Sequence, residues 1–133
     1  MKRKNEPKFY PLCEAVINDD MESFNALLES GVDIDGTDYN SITALCYAVQ
    51  CGRLLMVKKL LERGADIEFK DPYGNTPLST AVFYTGRNEN GLEIVNLLLS
   101  YGANINAENN YGISPKSLAN TITGFPIIDA FKE

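Results

Sequence analysis

Residues Asp71–Ala81 read DPYGNTPLSTA, with Pro72, Gly74 and Pro77 crowded together ahead of an apolar run. Turn formers of this kind usually separate elements. Here Pro77 follows a threonine and leads into Leu78, Ala81 and Val82 at helical spacing, so the string reads as a turn delivering the chain into a helix. Thr76 is the N-cap, its hydroxyl placed to accept a hydrogen bond from a free amide of the first turn. Pro77 takes the first helical position, where a missing N–H does no harm and φ is already set.

The pattern recurs. YPLCEAV from Tyr10, TALCYAV from Thr43, TPLSTAV from Thr76 and SPKSLAN from Ser114 start 33, 33 and 38 residues apart. The first three are each followed by a second apolar block: FNALLESGVDID from Phe24, VKKLLERGADIE from Val57 and VNLLLSYGANIN from Val95. The first blocks predict short helices with Leu12/Ala15/Val16, Leu45/Ala48/Val49 and Leu78/Ala81/Val82 on one face. The second blocks predict helices carrying Phe24/Leu27/Leu28, Val57/Leu60/Leu61 and Val95/Leu98/Leu99. Gly31, Gly64 and Gly102 stop the second helices in the left-handed conformation. A helix pair this short cannot bury its apolar face alone, so the units must stack into a solenoid.

The turn, the Thr-Pro-Leu helix, the Leu-Leu-x-x-Gly-Ala-Asp helix and the 33-residue period resemble the ankyrin repeat from about Asn5 to Phe131. The resemblance implies an all-α solenoid of about four helix-turn-helix units with hairpin-like connections. As one domain over 1–133, its units fall at about 5–37, 38–70, 71–108 and 109–133. Departures exist: Ala44 stands for the proline and Ser41 for the turn glycine of the second unit, and Lys116 takes a leucine slot in the last. Ile122, Ile127, Ile128 and Phe131, with Pro126 opening a last short helix, are expected to cap the array.

Composition excludes several functions. With no histidine, Ser-His-Asp and Cys-His nucleophiles are impossible, and Cys13, Cys46 and Cys51 lack metal-site spacing. They are expected to be reduced. Cys13 and Cys46 share one repeat slot, roughly 10 Å apart by helix packing and beyond disulfide reach. Neither DIDGTD at Asp33–Asp38 nor NENG at Asn88–Gly91 makes a calcium loop. No metal, no cofactor and no enzymatic activity are expected. The basic start MKRKNEPKFYP is followed by no apolar stretch, and no run is long enough to span a membrane, so a soluble cytoplasmic protein is expected. The net charge is −6. Eight carboxylates and no lysine or arginine lie between Phe9 and Gly52, ahead of the basic set Arg53, Lys58, Lys59 and Arg63. This balance argues against binding nucleic acid.

The third unit is five residues longer: Thr76 and Gly102 are 26 positions apart, against 21 for Thr43 and Gly64. The extra length falls between its two helices, at Thr85–Glu89, and offers Arg87 beside Phe83 and Tyr84.

By resemblance, ankyrin arrays bind proteins through hairpin tips and first-helix faces on one concave surface. Carried onto this chain, that surface holds Tyr39, Asn40, Ile42, Gln50 and Cys51, then Pro72, Tyr73, Asn75, Phe83 and Tyr84, then Asn110, Tyr111, Ile113, Thr121 and Ile122, with Arg87 of the insertion as a further contact. The last unit, NNYGISPKSLANTITGF from Asn109, is further similar to small bacterial ankyrin proteins that act as immunity partners of secreted toxins. That resemblance implies a toxin as partner. The acidic third suits a basic one, such as a toxin that handles nucleic acid, and adds Glu14, Asp19, Asp20, Glu22, Asp33, Asp35 and Asp38 as contacts, whereas a generic adaptor or host-targeting effector would use the same face. The free protein is expected to be a monomer.

Overall fold

The computed structural model describes residues 9–121. Among these residues seven α-helices run in chain order: α1 (Pro11–Ile17), α2 (Met21–Glu29), α3 (Ala44–Cys51), α4 (Leu54–Glu62), α5 (Pro77–Tyr84), α6 (Gly91–Ser100) and α7 (Pro115–Thr121). The architecture is the all-α repeat array read from the sequence. The proposed capping residues Ile122, Pro126, Ile127, Ile128 and Phe131 lie outside the described residues.

The helix starts follow the predicted chemistry. Thr43 Oγ1 accepts from the Cys46 amide and Thr76 Oγ1 from the Ser79 amide, and Ser114 Oγ accepts from the Ser117 amide at 3.1 Å. Pro11 and Pro77 stand in the first turns they open. Tyr10 differs, since it offers no side-chain cap to α1. Its hydroxyl instead donates to the Asp33 carbonyl, pinning the start of the first pair to its own outgoing segment. Gly31, Gly64 and Gly102 sit at φ of +82°, +85° and +86°, ending α2, α4 and α6 as expected.

The helices form two layers. α1, α3, α5 and α7 stack in sequence, and α2, α4 and α6 pack behind their partners. Alanines Ala15, Ala48, Ala81 and Ala119 are buried in the front layer, where a small side chain lets neighbours approach. Phe24, Met56, Leu60, Ile94 and Leu98 fill the space between the layers. Leu27 and Leu99, read as core, are only half-buried.

Neighbouring units are bolted by polar side chains reaching exposed helix ends. Arg53, the N-cap of α4, donates from Nε and Nη2 to the Val16 and Ile17 carbonyls at the end of α1. Asn90, the N-cap of α6, likewise donates to the Gly52 carbonyl just after α3. Arg63 donates to the Leu28 carbonyl and pairs with Glu29 at 2.7 Å. The carbonyl bonds fall at helix ends, where acceptor capacity is left over: the Val16, Gly52 and Leu28 carbonyls each take the side-chain bond in addition to a backbone amide.

Candidate functional site

Three hairpin turns project from the front layer, each built on an Asx residue. The Asp71 amide donates to the Asn75 carbonyl, and Asp71 Oδ1 accepts from the amides of Tyr73 and Asn75. Asn109 repeats this with Tyr111 and Ile113, and Asp38 does so with Asn40 and the Ile42 carbonyl. Gly74 and Gly112 supply the positive φ these turns require, at +80° and +76°. Ser41 adopts φ +60° at the equivalent place, a strained conformation for a residue with a Cβ that costs about 1–2 kcal/mol. At Gly74 a Cβ would also collide with the backbone of Asn110, whose amide and side chain bond to the Tyr73 and Pro72 carbonyls. The tips of the third and fourth units therefore lock together.

Behind these tips lies a groove of about 430 Å³. Gln50, Tyr73, Asn75, Phe83 and Tyr84, all expected on the binding face, line it together with Ile42 and Ile113. Tyr73 is 61% exposed and Phe83 48%, so the groove offers two large apolar surfaces to solvent. Asp71, Ser79, Thr80, Asn109 and Leu118 also line it and were missed. Thr80 and Leu118 were legible, because both stand four residues after an N-cap, on the same helix face.

The insertion is ordered against the groove rim. Thr85–Arg87 forms a 3-10 turn, and Arg87 donates to the Phe83 carbonyl at 2.9 Å. Its guanidinium lies 4.6 Å from the Phe83 ring centroid and 5.7 Å from that of Tyr84. The two rings meet edge-on at 5.1 Å. Asn88 donates to the Gln50 carbonyl, tying the insertion back to the second unit. These contacts favour the observed poses of Phe83 and Tyr84, and such preorganisation lowers the entropy lost on binding.

Other expected contacts fall elsewhere. Tyr39 occupies the turn position of Pro72, one residue before that of Tyr73, and is exposed outside the groove. Tyr111 is exposed at the last tip, also outside the lining. Asn40 shares the Tyr73 position but turns inward, donating to the Tyr47 hydroxyl at 3.1 Å.

Asp38 is a correction. Only 5% exposed, it accepts from the Tyr47 hydroxyl at 2.6 Å on one oxygen and from the Asn40 amide on the other, so it builds the turn and is withheld from a partner. Burial, then the bond to Asp38, pushes the Tyr47 phenol up to about 12. The rest of the acidic third is largely architecture as well. Asp20 caps α2 through the Ser23 amide and hydroxyl, which hold its carboxyl below the usual range. Asp33 accepts from the Asp35 amide, Asp35 from the Asp66 amide of the next unit, and Asp19 faces Arg53 at 3.8 Å. Among the described residues Glu14 and Glu22 have no such partner. None of these acids lines the groove.

Asp38→Ala is expected to cost about 2–3 kcal/mol, because it strands the buried Tyr47 hydroxyl and undoes the turn. Asp38→Asn should lose less than half of that, and urea denaturation of both variants measures the difference.

Cys13 and Cys46 are buried free thiols. Burial pushes Cys13 up to about 12 and raises Cys46, so neither is a ready nucleophile.

Comparison with known proteins agrees with this geometry. The family model for ankyrin repeats, in three copies, matches residues 12–109. The chain belongs to the ankyrin repeat family, whose arrays are generally non-catalytic protein-binding modules. Among curated relatives, the potassium channel GORK of Arabidopsis thaliana is 40% identical over 70 residues, 53% of this chain and 8% of the channel. The L-asparaginase of Dirofilaria immitis is 39% identical over 71 residues, 53% of this chain and 12% of that protein. A putative ankyrin repeat protein, L271 of Acanthamoeba polyphaga mimivirus, is 36% identical over 86 residues, 64% of this chain and 11% of its own length. The matches thus span about a tenth of these relatives. Among the described residues no helix is long and apolar enough to cross a membrane.

Proposed function

We propose that this chain binds a protein partner through the groove between its second, third and fourth tips, without catalysis, and that the partner is a cognate toxin which it neutralises in the cytoplasm. The observation that carries the binding reading is the groove itself, where exposed Tyr73 and Phe83 meet polar Gln50, Asn75 and Thr80. Large rigid aromatics beside free hydrogen-bonding groups are what interface hot spots use. The toxin reading draws its support from the last unit's resemblance and from the net charge of −6, which favours a basic partner through long-range steering. The contact surface comprises Tyr73, Phe83, Tyr84, Gln50 and Asn75, with Arg87 fixing the rim. Tyr39, Tyr111, Asp19, Asp20 and Glu22 belong to a wider periphery. Asp35 contributes field more than contact.

The test is capture from native lysate by the wild type and a Tyr73→Ala, Phe83→Ala double variant. A single basic polypeptide retained only by the wild type is the expected product. Its affinity should fall at least severalfold between about 0.05 and about 0.5 M salt. Expressed alone, that polypeptide should arrest growth, and co-expression of the wild type should relieve the arrest. A captured polypeptide that is harmless alone would replace the immunity role by an adaptor role.

A further inference from the structure

The second unit contains a template for what the groove of the third takes. Tyr47 and Thr80 stand four residues after their N-caps, and Asp38 and Asp71 five residues before them, so the two pairs are equivalent. In the second unit the Tyr47 hydroxyl reaches Asp38 Oδ2 at 2.6 Å, and the side chain lies buried against the front of the array. In the third, Thr80 is too short to do the same, and the groove opens where a tyrosine would lie. Both hydrogen bonds to the Asp71 side chain end on Oδ1, leaving Oδ2 without a partner among the described residues. Among the described residues Asp71 is also the only charged side chain in the groove lining.

Resting on the reading of this groove as the partner site, we infer that it selects an arginine side chain of the bound protein. The guanidinium takes at Asp71 the place that the Tyr47 phenol takes at Asp38. Its stem and planar head lie against Tyr73, Phe83 and Tyr84. Charge decides for a cation. An apolar anchor alone would bury the Asp71 carboxylate uncompensated, whereas a guanidinium pairs with it and stacks on the rings. Arg87 already stacks 4.6 Å over Phe83 from the rim, so an incoming guanidinium shares the cluster with a second cation and depends on Asp71 for its charge balance. The net charge of −6 favours the approach of a cationic partner, and Asp71 is what directs the cation to this groove.

The experiment titrates the isotope-labelled full chain with N-acetyl-arginine amide, and in parallel with its neutral citrulline counterpart and with N-acetyl-tyrosine amide, following backbone amide signals. The arginine compound is expected to shift Tyr73, Asn75, Thr80 and Phe83 with a Kd on the order of 1 mM, and citrulline to bind about tenfold more weakly. Asp71→Asn should reduce arginine to the citrulline level. That variant keeps its turn, because Asn109 holds the same turn in the fourth unit. Thr80→Tyr should abolish binding by supplying the missing phenol from within. Equal binding of citrulline, tighter binding of the tyrosine compound, unaltered arginine binding in Asp71→Asn, or no shifts at the groove would each overturn the inference. With the captured partner, loss in Thr80→Tyr but not in Asp71→Asn would spare the groove and remove the arginine. Indifference to both would remove the groove as well.

Discussion

Truncating Leu78 to alanine is expected to cost about 2–5 kcal/mol, a large share of the stability of a chain this size. Leu78 is fully buried in α5, and α5 packs against α3, α6 and α7. In a linear array stability is approximately a sum of unit and nearest-neighbour terms, so a loss at the centre weakens two interfaces at once. Leu12, equally buried, sits in α1, which among the described residues packs against one neighbouring unit, through α3. Leu12→Ala should therefore fray α1 and α2 while leaving amide protection in α5 close to wild type. Leu78→Ala should lower protection throughout and shift the urea midpoint further. Hydrogen exchange on the two variants checks the contrast, and uniform loss in both would mean that the array folds as a single unit with no linear character.

Thr80→Tyr is expected to reduce affinity for the protein partner by about a hundredfold, some 2.7 kcal/mol, while changing stability by less than about 1 kcal/mol. The substitution is tolerated because the second unit already carries this tyrosine against this aspartate, with its hydroxyl satisfied. It acts by filling the groove that Thr80 leaves open. Thr80→Ser, of nearly the same size, should bind as the wild type does. Calorimetric titration of the purified partner measures both, and a Thr80→Tyr protein of undiminished affinity would exclude the groove as the main contact.

The repeat was legible because its physics is local. A hydroxyl before a proline starts a helix, and a glycine after a leucine pair stops one. Both rules recur at Thr76 with Pro77 and at Gly64 and Gly102 without reference to anything distant. Half of the groove was legible for the same reason, since Gln50, Tyr73 and Phe83 occupy fixed register positions. Charge was less readable. A run of aspartates looks the same in sequence whether it is displayed or consumed. Asp38 is buried against Tyr47, whereas Asp35 accepts from an amide 31 residues away and Asp20 from its own helix with their charges still near the surface, a division that no local pattern announces. The insertion was legible by counting residues between Thr76 and Gly102, but its docking was not. Its placement depends on Asn88 and Asn90 meeting carbonyls of the preceding unit, 38 residues earlier. The opening at Thr80 is visible only by comparing one slot across units, where a tyrosine has become a threonine beside an unchanged aspartate.

The most direct test of the concave groove as the partner site is photo-crosslinking in living cells from two positions. A photoreactive phenylalanine analogue is placed at Phe83, 48% exposed on the groove, or at Leu55, 61% exposed at the start of α4 and outside the groove lining. The account predicts one discrete adduct from position 83, lost when Thr80→Tyr is added, and none from position 55. An adduct from position 55 with nothing from position 83 would contradict it and move the binding surface to the helix side of the array.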